Sequence, residues 1–264
     1  MSAAGMIEVS RDGPVATVTL SRAAKRNALS SAMIADLGAA FARLSADGDL
    51  RAVILHGAGP SFCAGADVAE MAALDETSAE TFIRGLHGAI QAVRGCPVPV
   101  IAAIRGRCLG AGVELAAGCD LRLAAADARF AMPEVLVGIP SVIEAALLPG
   151  LIGRGRAARL LLTGETIDAA TAERWGLVEE VVAPPDALNA GPLNADALED
   201  RARALAEAIA AADPRAVRAQ KTLMRRWETL PVEAAIEAGV RPFADSYRTA
   251  APRARMAAVL GGKP

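Results

Sequence analysis

Residues 106–120 read GRCLGAGVELAAGCD and directly follow an apolar run, VPVIAAI, at residues 98–104. An apolar run that stops at a glycine-rich bend is typical of a buried strand, and small residues after it let the backbone approach another group closely. The first N–H groups of a following helix lack partners within the helix and can point at an oxygen or anion. Glu114 lies beside them. Taken alone, the stretch favours the simpler interpretation of a close-packed turn with a capping or solvent-exposed glutamate.

The composition narrows the classes of protein to consider. The 264 residues are 53% hydrophobic but only 3% aromatic, which indicates an aliphatic core large enough for one domain. With 28 basic and 30 acidic residues the net charge is −2, which speaks against nucleic acid or an anionic membrane as partner. No apolar run has the length of a membrane span, and the N-terminal residues lack a secretion or presequence pattern. We therefore expect a cytoplasmic protein.

The cysteines and histidines are too few and too scattered for a metal site, a disulfide framework or a catalytic triad. The four cysteines form no Cys-x-x-Cys pair, and the two histidines have no Gly-x-Ser-x-Gly motif to accompany them. Cys63 and Cys108 lie in loops of interest but are expected to be buried, inert packing residues. The sequence thus predicts no metal site, no disulfide framework and no serine nucleophile.

Strand and helix patterns alternate along most of the chain. A hairpin is predicted around the turn at residues 11–14, and Ser30 or Ser31 is expected to cap the helix that follows. Beyond the hairpin, strands are predicted at residues 51–56, 98–104, 121–124, 128–131 and 177–182, and helices at 31–44, 68–74, 78–94, 155–163, 167–175, 196–212 and 214–230. This alternation predicts an α/β fold with a largely parallel sheet.

Two loops follow strand ends in this pattern, at residues 57–67 and 106–112, and both are rich in Gly and Ala. The carboxyl ends of parallel strands gather at one edge of a sheet, where ligands bind. One backbone N–H from each loop could therefore converge on a carbonyl oxygen and form an oxyanion hole. The alternative is two ordinary tight turns.

Two carboxylates lie shortly after predicted strands in the sequence. Glu114 lies just inside the helix predicted after the glycine-rich bend at residues 106–112, and Glu134 follows Pro133 where a further helix is predicted to begin. If both face one cavity, they could share acid and base work, since a partly desolvated pair separates in proton affinity. The spacing alone favours a structural role for each.

Five segments, in the same order, resemble the motifs of the crotonase superfamily, which contains enoyl-CoA hydratases and isomerases. They are LSRAAKRNALS (20–30), GAGPSFCAGADVAEM (57–71), PVIAAIRGRCLGAGVELAAGCDLRLA (99–124), ARFAMPEVLVGIP (128–140) and LLTGETIDAATAERWGLVEEVV (161–182). The resemblance implies a crotonase-like ββα spiral core at residues 1–195 with a CoA-thioester site, and a C-terminal helical trimerisation region at 196–264. It also implies a homotrimer or a dimer of trimers.

Carried over by position, the family's oxyanion N–H groups fall on Ala66 and Ala111, and its catalytic glutamates on Glu114 and Glu134. Candidate CoA-binding residues are Lys25, Arg26, Ala64 and Asp67. For Lys25 and Arg26 a solvated basic loop is the alternative, and Asp67 is expected to cap the next helix.

Because both glutamates are present, the resemblance predicts an enoyl-CoA hydratase that adds water across the 2,3 double bond of a 2-enoyl-CoA. It assigns the base to Glu114 and the acid to Glu134, and it requires no metal or cofactor because CoA is part of the substrate. The alternatives are an isomerase or another crotonase-type CoA-thioester lyase, and a non-catalytic RNA-binding or scaffold homologue.

One segment departs from the family pattern. Residues 141–150 read SVIEAALLPG, with Ser141 where glycine is common and with an extra acid, Glu144. Glu144 could be a third carboxylate near the site, and a charge on a helix surface is the preferred interpretation. The residues leave acyl length, branching, pathway and the choice between trimer and hexamer open.

Overall fold

The computed structural model of the chain describes residues 5–182 and 195–261. Nine strands in this part form a six-stranded sheet, in the order β1-β2-β3-β4-β6-β9, and a three-stranded sheet, in the order β5-β7-β8. They are β1 (Ile7–Asp12), β2 (Val15–Leu20), β3 (Ala52–Gly57), β4 (Val100–Ile104), β5 (Arg107–Leu109), β6 (Leu121–Ala125), β7 (Arg129–Ala131), β8 (Ile167–Asp168) and β9 (Glu180–Val182).

The larger sheet is parallel from β2 to β9, as the alternation of strands and helices predicts. Only β1 runs antiparallel to β2, through the predicted hairpin. Its turn is shorter than expected, because Asp12 still pairs with Val15 and leaves only Gly13 and Pro14 between the strands. Gly13 has φ +54°, a backbone conformation that glycine adopts without strain.

Twelve helices surround the sheets in the described ranges. They are α1 (Ser31–Ala46), α2 (Val68–Met71), α3 (Glu76–Arg94), α4 (Ala111–Gly118), α5 (Leu148–Ile152), α6 (Arg154–Thr163), α7 (Ala169–Trp175), α8 (Ala195–Ala211), α9 (Pro214–Trp227), α10 (Val232–Glu237), α11 (Val240–Ser246) and α12 (Ala251–Leu260). Ser30 caps α1 by accepting a hydrogen bond from the N–H of Met33, as predicted. Short 3₁₀ helices cover Ala23–Lys25, Glu134–Val137 and Ile143–Leu147.

Alternate residues of the strands face two separate apolar clusters. Val53 and Leu55 of β3 point into a large core shared with α1, α3 and α4. Ile54, between them, points into a smaller cluster with Leu198 and Ala202 of α8. Because successive side chains of a strand face opposite sides, a continuous apolar run such as AVIL is buried on both faces. The sheet is therefore a middle layer, covered by helices on each side.

Two local predictions were wrong. The run at residues 98–104 does not lead directly into a helix, because β5 lies between β4 and α4 and pairs in parallel with β7. The predicted helix at residues 167–175 begins as β8, which pairs antiparallel with β7 through Ile167 and Phe130. Both short strands belong to the second sheet, whose partners are distant in sequence and therefore leave no local periodicity.

The predicted division at residue 195 stays a prediction. The proline-rich segment at residues 184–194, interpreted as a linker, lies outside the described residues. Lys221 of α9 is buried and ties this helix to the core, since its Nζ lies 2.6 Å from Oδ2 of Asp120 and donates to the carbonyl of Val98 at 2.9 Å. Within residues 5–182 and 195–261, no helix is both long and apolar enough to cross a membrane.

Candidate active site

The two glycine-rich loops lie side by side. Cys63 donates its N–H to the carbonyl of Arg107 at 3.0 Å, and its own carbonyl accepts the N–H of Leu109 at 3.0 Å. The first loop thus runs along β5 and reaches the start of α4. Next to Ala66, a Cβ on Gly65 would lie 3.0 Å from the carbonyl oxygen of Leu109 and 3.8 Å from the backbone N of Ala111. The predicted convergence of the two loops is therefore present in the structure.

Each loop presents one of the predicted N–H donors. Leu29 donates to the carbonyl of Gly65 at 2.8 Å and accepts from the N–H of Asp67 at 2.9 Å. In such a parallel bridge the intervening residue, Ala66, turns its own N–H away from Leu29. Ala111 is the first residue of α4, so its N–H has no acceptor within the helix. Among residues 5–182 and 195–261 neither N–H has an acceptor, so both can meet an oxygen at this edge, although the oxyanion role itself stays a prediction.

Asn27 holds the first loop in shape, a role that was not predicted from the sequence. Its buried amide nitrogen lies 3.0, 2.8 and 3.1 Å from the carbonyl oxygens of Ala58, Ser61 and Phe62, and its oxygen accepts the N–H of Arg22 at 2.9 Å. Its φ of +56° is a conformation that asparagine tolerates better than most residues. The available signal was an asparagine that ends a polar loop immediately before a buried helix.

Glu114 is a buried acid in the first turn of α4. It is 4% exposed, and its Oε1 accepts the N–H of Ala145 at 3.1 Å. Burial raises the pKa of Glu114 to about 8, and the negative charges of Glu134 and Glu144 act in the same direction. Glu114 therefore holds its proton in the substrate-free protein at neutral pH.

Glu134 is placed by the turn after β7 and reaches the start of α4. Its Oε2 accepts a hydrogen bond from the Ser141 hydroxyl at 2.8 Å. Its Oε1 lies so close to Gly110, the residue that caps α4, that a Cβ on Gly110 would be only 2.3 Å away. The structure thus brings both predicted glutamates to the same end of α4, within electrostatic reach of each other.

Glu144 is buried, so its interpretation as a charge on a helix surface was wrong. It is 3% exposed, and its Oε1 lies 2.8 Å from Nδ1 of His87 and 2.7 Å from Nε2 of Gln91. The physical reason is that the 3₁₀ helix Ile143–Leu147 packs against both α3 and α4, which closes over the acid. Glu144 is the third carboxylate of the cluster.

The predicted CoA-binding residues lie around the first loop. Lys25 and Arg26 are exposed at the end of the 3₁₀ helix Ala23–Lys25. The carbonyl of Arg26 accepts the N–H of Ala64 at 3.0 Å, which joins this basic turn to the loop that carries Ala66. The arrangement places two exposed cationic side chains beside the loop that carries Ala66, and their contact with CoA stays a prediction.

Asp67 caps α2, as expected. Its Oδ1 accepts the N–H groups of Ala69 and Glu70 at 3.0 and 3.3 Å, and its Oδ2 lies 2.5 Å from the guanidinium of Arg22. The hydrogen bond from Arg22 is the largest cause that lowers the pKa of Asp67. Its carboxylate is thus engaged within the protein, and a direct role in CoA binding stays a prediction.

The cysteines near the site are inert packing residues, as expected. Cys63 and Cys108 are free thiols with no exposed surface. Burial raises the pKa of Cys63 to about 12, and that of Cys108 is raised as well. In the described part of the chain, no group of three or more His, Cys, Asp or Glu residues is arranged to hold a metal ion.

Known proteins are similar to this chain in both sequence and fold. Residues 10–258 match the enoyl-CoA hydratase/isomerase family. A relative from Thauera aromatica, (E)-benzylidenesuccinyl-CoA hydratase, is 38% identical over 83% of this chain and 82% of its own length. The short-chain-enoyl-CoA hydratase of Clostridium acetobutylicum is 33% identical over 95% of this chain and 92% of its own.

The solved structures agree with the sequence match. The crystal structure of an enoyl-CoA hydratase from Mycobacterium smegmatis superposes with a TM-score of 0.90 at 34% identity, covering 98% of this chain and 97% of the other. The predicted crotonase-like α/β fold is confirmed by this likeness, whereas the trimerisation of the C-terminal region stays a prediction. The chain belongs, over nearly all of its length, to the enoyl-CoA hydratase/isomerase family.

Proposed function

We propose that this protein is an enoyl-CoA hydratase, which adds water across the 2,3 double bond of a 2-enoyl-CoA thioester. The observation that carries the proposal is the meeting of Glu114 and Glu134 at the end of α4, beside the two loops that present Ala66 and Ala111. Hydration needs one group that takes a proton from water and one that gives a proton to carbon. A pair of interacting carboxylates supplies both.

The two backbone N–H groups bind the thioester oxygen. As water adds to the β carbon, negative charge moves through the conjugated system onto that oxygen. Donors already fixed in the backbone stabilise this charge without reorganising, and their effect is strongest in the enolate-like transition state. Because only main-chain atoms donate, alanine serves at both positions.

The carboxylate pair moves the protons. The oxygen of water bonds to the β carbon as the π bond between the α and β carbons breaks. One proton of the water passes to one carboxylate and the other stays on the new hydroxyl group. The second carboxylic acid gives its proton to the α carbon. The resemblance assigns the base to Glu114 and the acid to Glu134, whereas burial favours the proton on Glu114 in the free protein. We propose that the pair shares one proton, which lies on Glu114 before substrate binds and moves to Glu134 as water and substrate enter.

Binding of CoA is assigned to the basic turn beside the first loop. Lys25 and Arg26 are exposed cations there, suited to the phosphates of the nucleotide, and Ala64 lies in contact with the same turn. The reaction needs no cofactor beyond the CoA of the substrate. The names of the relatives include a short-chain and an aryl-substituted substrate. Family membership therefore leaves the acyl group open.

We also propose that the protein acts in the cytoplasm as a homotrimer or a dimer of trimers, without nucleic acid or membrane as partner. Exposed apolar side chains on the C-terminal helices support an assembly of copies, since monomers rarely expose such a set. They include Val232, Ile236, Val240, Phe243 and Val259. Sedimentation velocity tests the assembly, and a monomer at micromolar concentration contradicts it.

The test of the activity is loss of absorbance from the conjugated band of crotonyl-CoA on adding purified protein. Glu114→Gln and Glu134→Gln should each lower kcat by at least about 100-fold. Glu80→Gln, a change of the same type on the exposed face of α3, is the matched control and should leave the rate unchanged. Wild-type rates in both site variants, or no reaction with any chain length, contradict the proposal. A positional isomer as the only product, identified by mass spectrometry and NMR, indicates an isomerase instead.

A further inference from the structure

Glu144 has no part in the reaction described above, yet it lies in the same carboxylate cluster. Its side chain is almost completely buried, and its Oε2 has no hydrogen-bond partner in the described part of the chain. A buried charge is retained only if its surroundings hold it or a function needs it. His87 and Gln91 contact Oε1 of Glu144, and Oε2 is left without a hydrogen bond in the described part of the chain.

The backbone around Glu144 is fastened to both catalytic acids. The N–H of the next residue, Ala145, donates to Glu114, and Ser141, three residues earlier, donates to Glu134. Between them, Ile143 has φ +39°, an unfavourable conformation for a β-branched residue. A strained backbone persists where its neighbours fix it. The segment 141–145 therefore holds the three carboxylates in one arrangement.

We propose that Glu144 is a positioning residue for the catalytic pair: its buried carboxylate, held by His87 and Gln91, keeps the shared proton on Glu114 until substrate binds. The catalytic part of this inference rests on the proposed function. The effect of Glu144 on the proton of Glu114 is a property of the substrate-free protein. A negative charge beside a second carboxyl makes loss of the proton from that carboxyl costlier. His87 and Gln91 of α3 hold the Glu144 carboxylate in place, so they act on Glu114 through the position of Glu144.

The charged neighbours of this cluster come from three elements. From α4 the group facing Glu144 is Glu114 itself, and from α3 it is His87, whose side chain is 49% exposed and so links the cluster to solvent. Glu134 faces Glu114 from the turn after β7. Helix α5, which also packs against this segment, carries no titratable residue. Burial is thus the largest cause that keeps the proton on Glu114, and the two neighbouring carboxylates add to it.

The test is a titration of the substrate-free protein with ¹³C-carboxyl-labelled glutamate, followed by NMR. In Glu144→Gln the titration midpoint of Glu114 should fall by roughly one pH unit, because one negative neighbour is removed at constant size. His87→Leu should lower the midpoint by less, and it should cause no further change when combined with Glu144→Gln. Glu80→Gln on α3 is the control for a general change of charge and should leave the midpoint unchanged.

A folded Glu144→Gln protein, with wild-type circular dichroism and Tm, whose Glu114 midpoint stays unchanged overturns the inference. His87→Leu changes a half-exposed residue and keeps the test open if Glu144→Gln does not fold, and an unchanged midpoint there likewise contradicts it. The alkaline limb of the kcat/KM profile for crotonyl-CoA should move by the same amount as the midpoint. If the midpoint moves but the wild type hydrates no 2-enoyl-CoA, the proposed function fails while this inference stands.

Discussion

The carboxylate of Glu134 lies against the Cα of Gly110, where a Cβ would be 2.3 Å from Oε1. Gly110 also has φ +51°, so an alanine there is strained by the backbone as well as by the contact. We expect Gly110→Ala to push Glu134 out of place and lower kcat for crotonyl-CoA by at least about 100-fold. Steady-state kinetics on the purified variant measures this.

The matched control for Gly110→Ala is Gly88→Ala in α3. No heavy atom lies within 4 Å of the Cβ added at Gly88. It should keep the wild-type rate and raise the free energy of unfolding by about 0.5–1 kcal/mol, because alanine favours a helix more than glycine does. Full activity in Gly110→Ala would show that Glu134 does not need its present position.

Ser141 orients Glu134 through a hydrogen bond of 2.8 Å. Ser141→Ala removes that donor and should lower kcat by about five- to tenfold, which corresponds to roughly 1 kcal/mol. Since Ser141 is only partly buried, the Tm should change little. Initial rates at saturating crotonyl-CoA check the effect, and a change confined to KM contradicts an orienting role.

The dependence of kcat/KM on pH should have an alkaline limb set by Glu114. Burial raises the pKa of this acid to about 8, so its proton is lost as the pH rises through that value. Above it the pair has lost its shared proton and no acid remains to protonate the α carbon. We therefore expect activity to fall above about pH 8, measured with crotonyl-CoA across pH 6–10 in buffers of constant ionic strength. A rate that still rises at pH 9.5 contradicts this role.

The same acid makes stability depend on pH. The pKa of Glu114 is about 8 when folded against an ordinary 4.5, so the unfolded chain releases this proton first as the pH rises. The stability that Glu114 contributes is complete below pH 4.5 and is lost by about pH 8, at about 1.4 kcal/mol for each pH unit. Glu114→Gln removes this loss. It should match the wild type near pH 4.5 and become progressively more stable up to pH 8.

Urea unfolding of both proteins at several pH values measures that difference. Glu76→Gln, an exposed acid on α3, controls for the change in net charge and should give a small, constant offset. A difference between Glu114→Gln and wild type that stays constant across this range contradicts the assigned burial cost.

Asn27 should matter for both stability and rate. Asn27→Gly keeps the left-handed backbone, φ +56°, but removes an amide that serves three carbonyls, so we expect a loss of roughly 2–4 kcal/mol. Asn27→Ala adds backbone strain and should lose about 1 kcal/mol more. Both should lower kcat, because the loop that carries Ala66 loses its support. Chemical unfolding and kinetics on the same samples test this, and equal stability of the two variants contradicts the backbone argument.

The order of elements could be predicted from sequence because local patterns determine it. The run RAVILH at residues 51–56 is too short for a typical helix and apolar on both faces, so it predicts a buried strand, and Ser30 precedes a helical period. The second sheet could not be predicted in the same way. Its strand β5 has three residues and pairs with β7, 22 residues later, so neither strand is specified by its own pattern.

The same distinction, between features set by local sequence and features set by distant contacts, applies to the candidate site. The motifs locate Glu114 and Glu134, and the structure brings them together at Gly110. The burial of Glu144 depends on how a 3₁₀ helix packs against α3 and α4, which no local pattern records. The support from Asn27 depends on backbone carbonyls more than thirty residues away. Roles that depend on residue type could be predicted from the sequence, whereas roles that depend on packing could not.

The hydrogen bonds that join Cys63 to β5 and Leu29 to the first loop also bear on how the chain folds. They connect segments that are separated by about forty residues, and both must form before the two proposed N–H donors can face one point. Such distant pairings close large loops and are therefore expected late on the folding route. A chain that lacks either pairing cannot present both donors. Polarisation of a bound thioester, measured as a red shift of its absorbance, would therefore show that both pairings have formed.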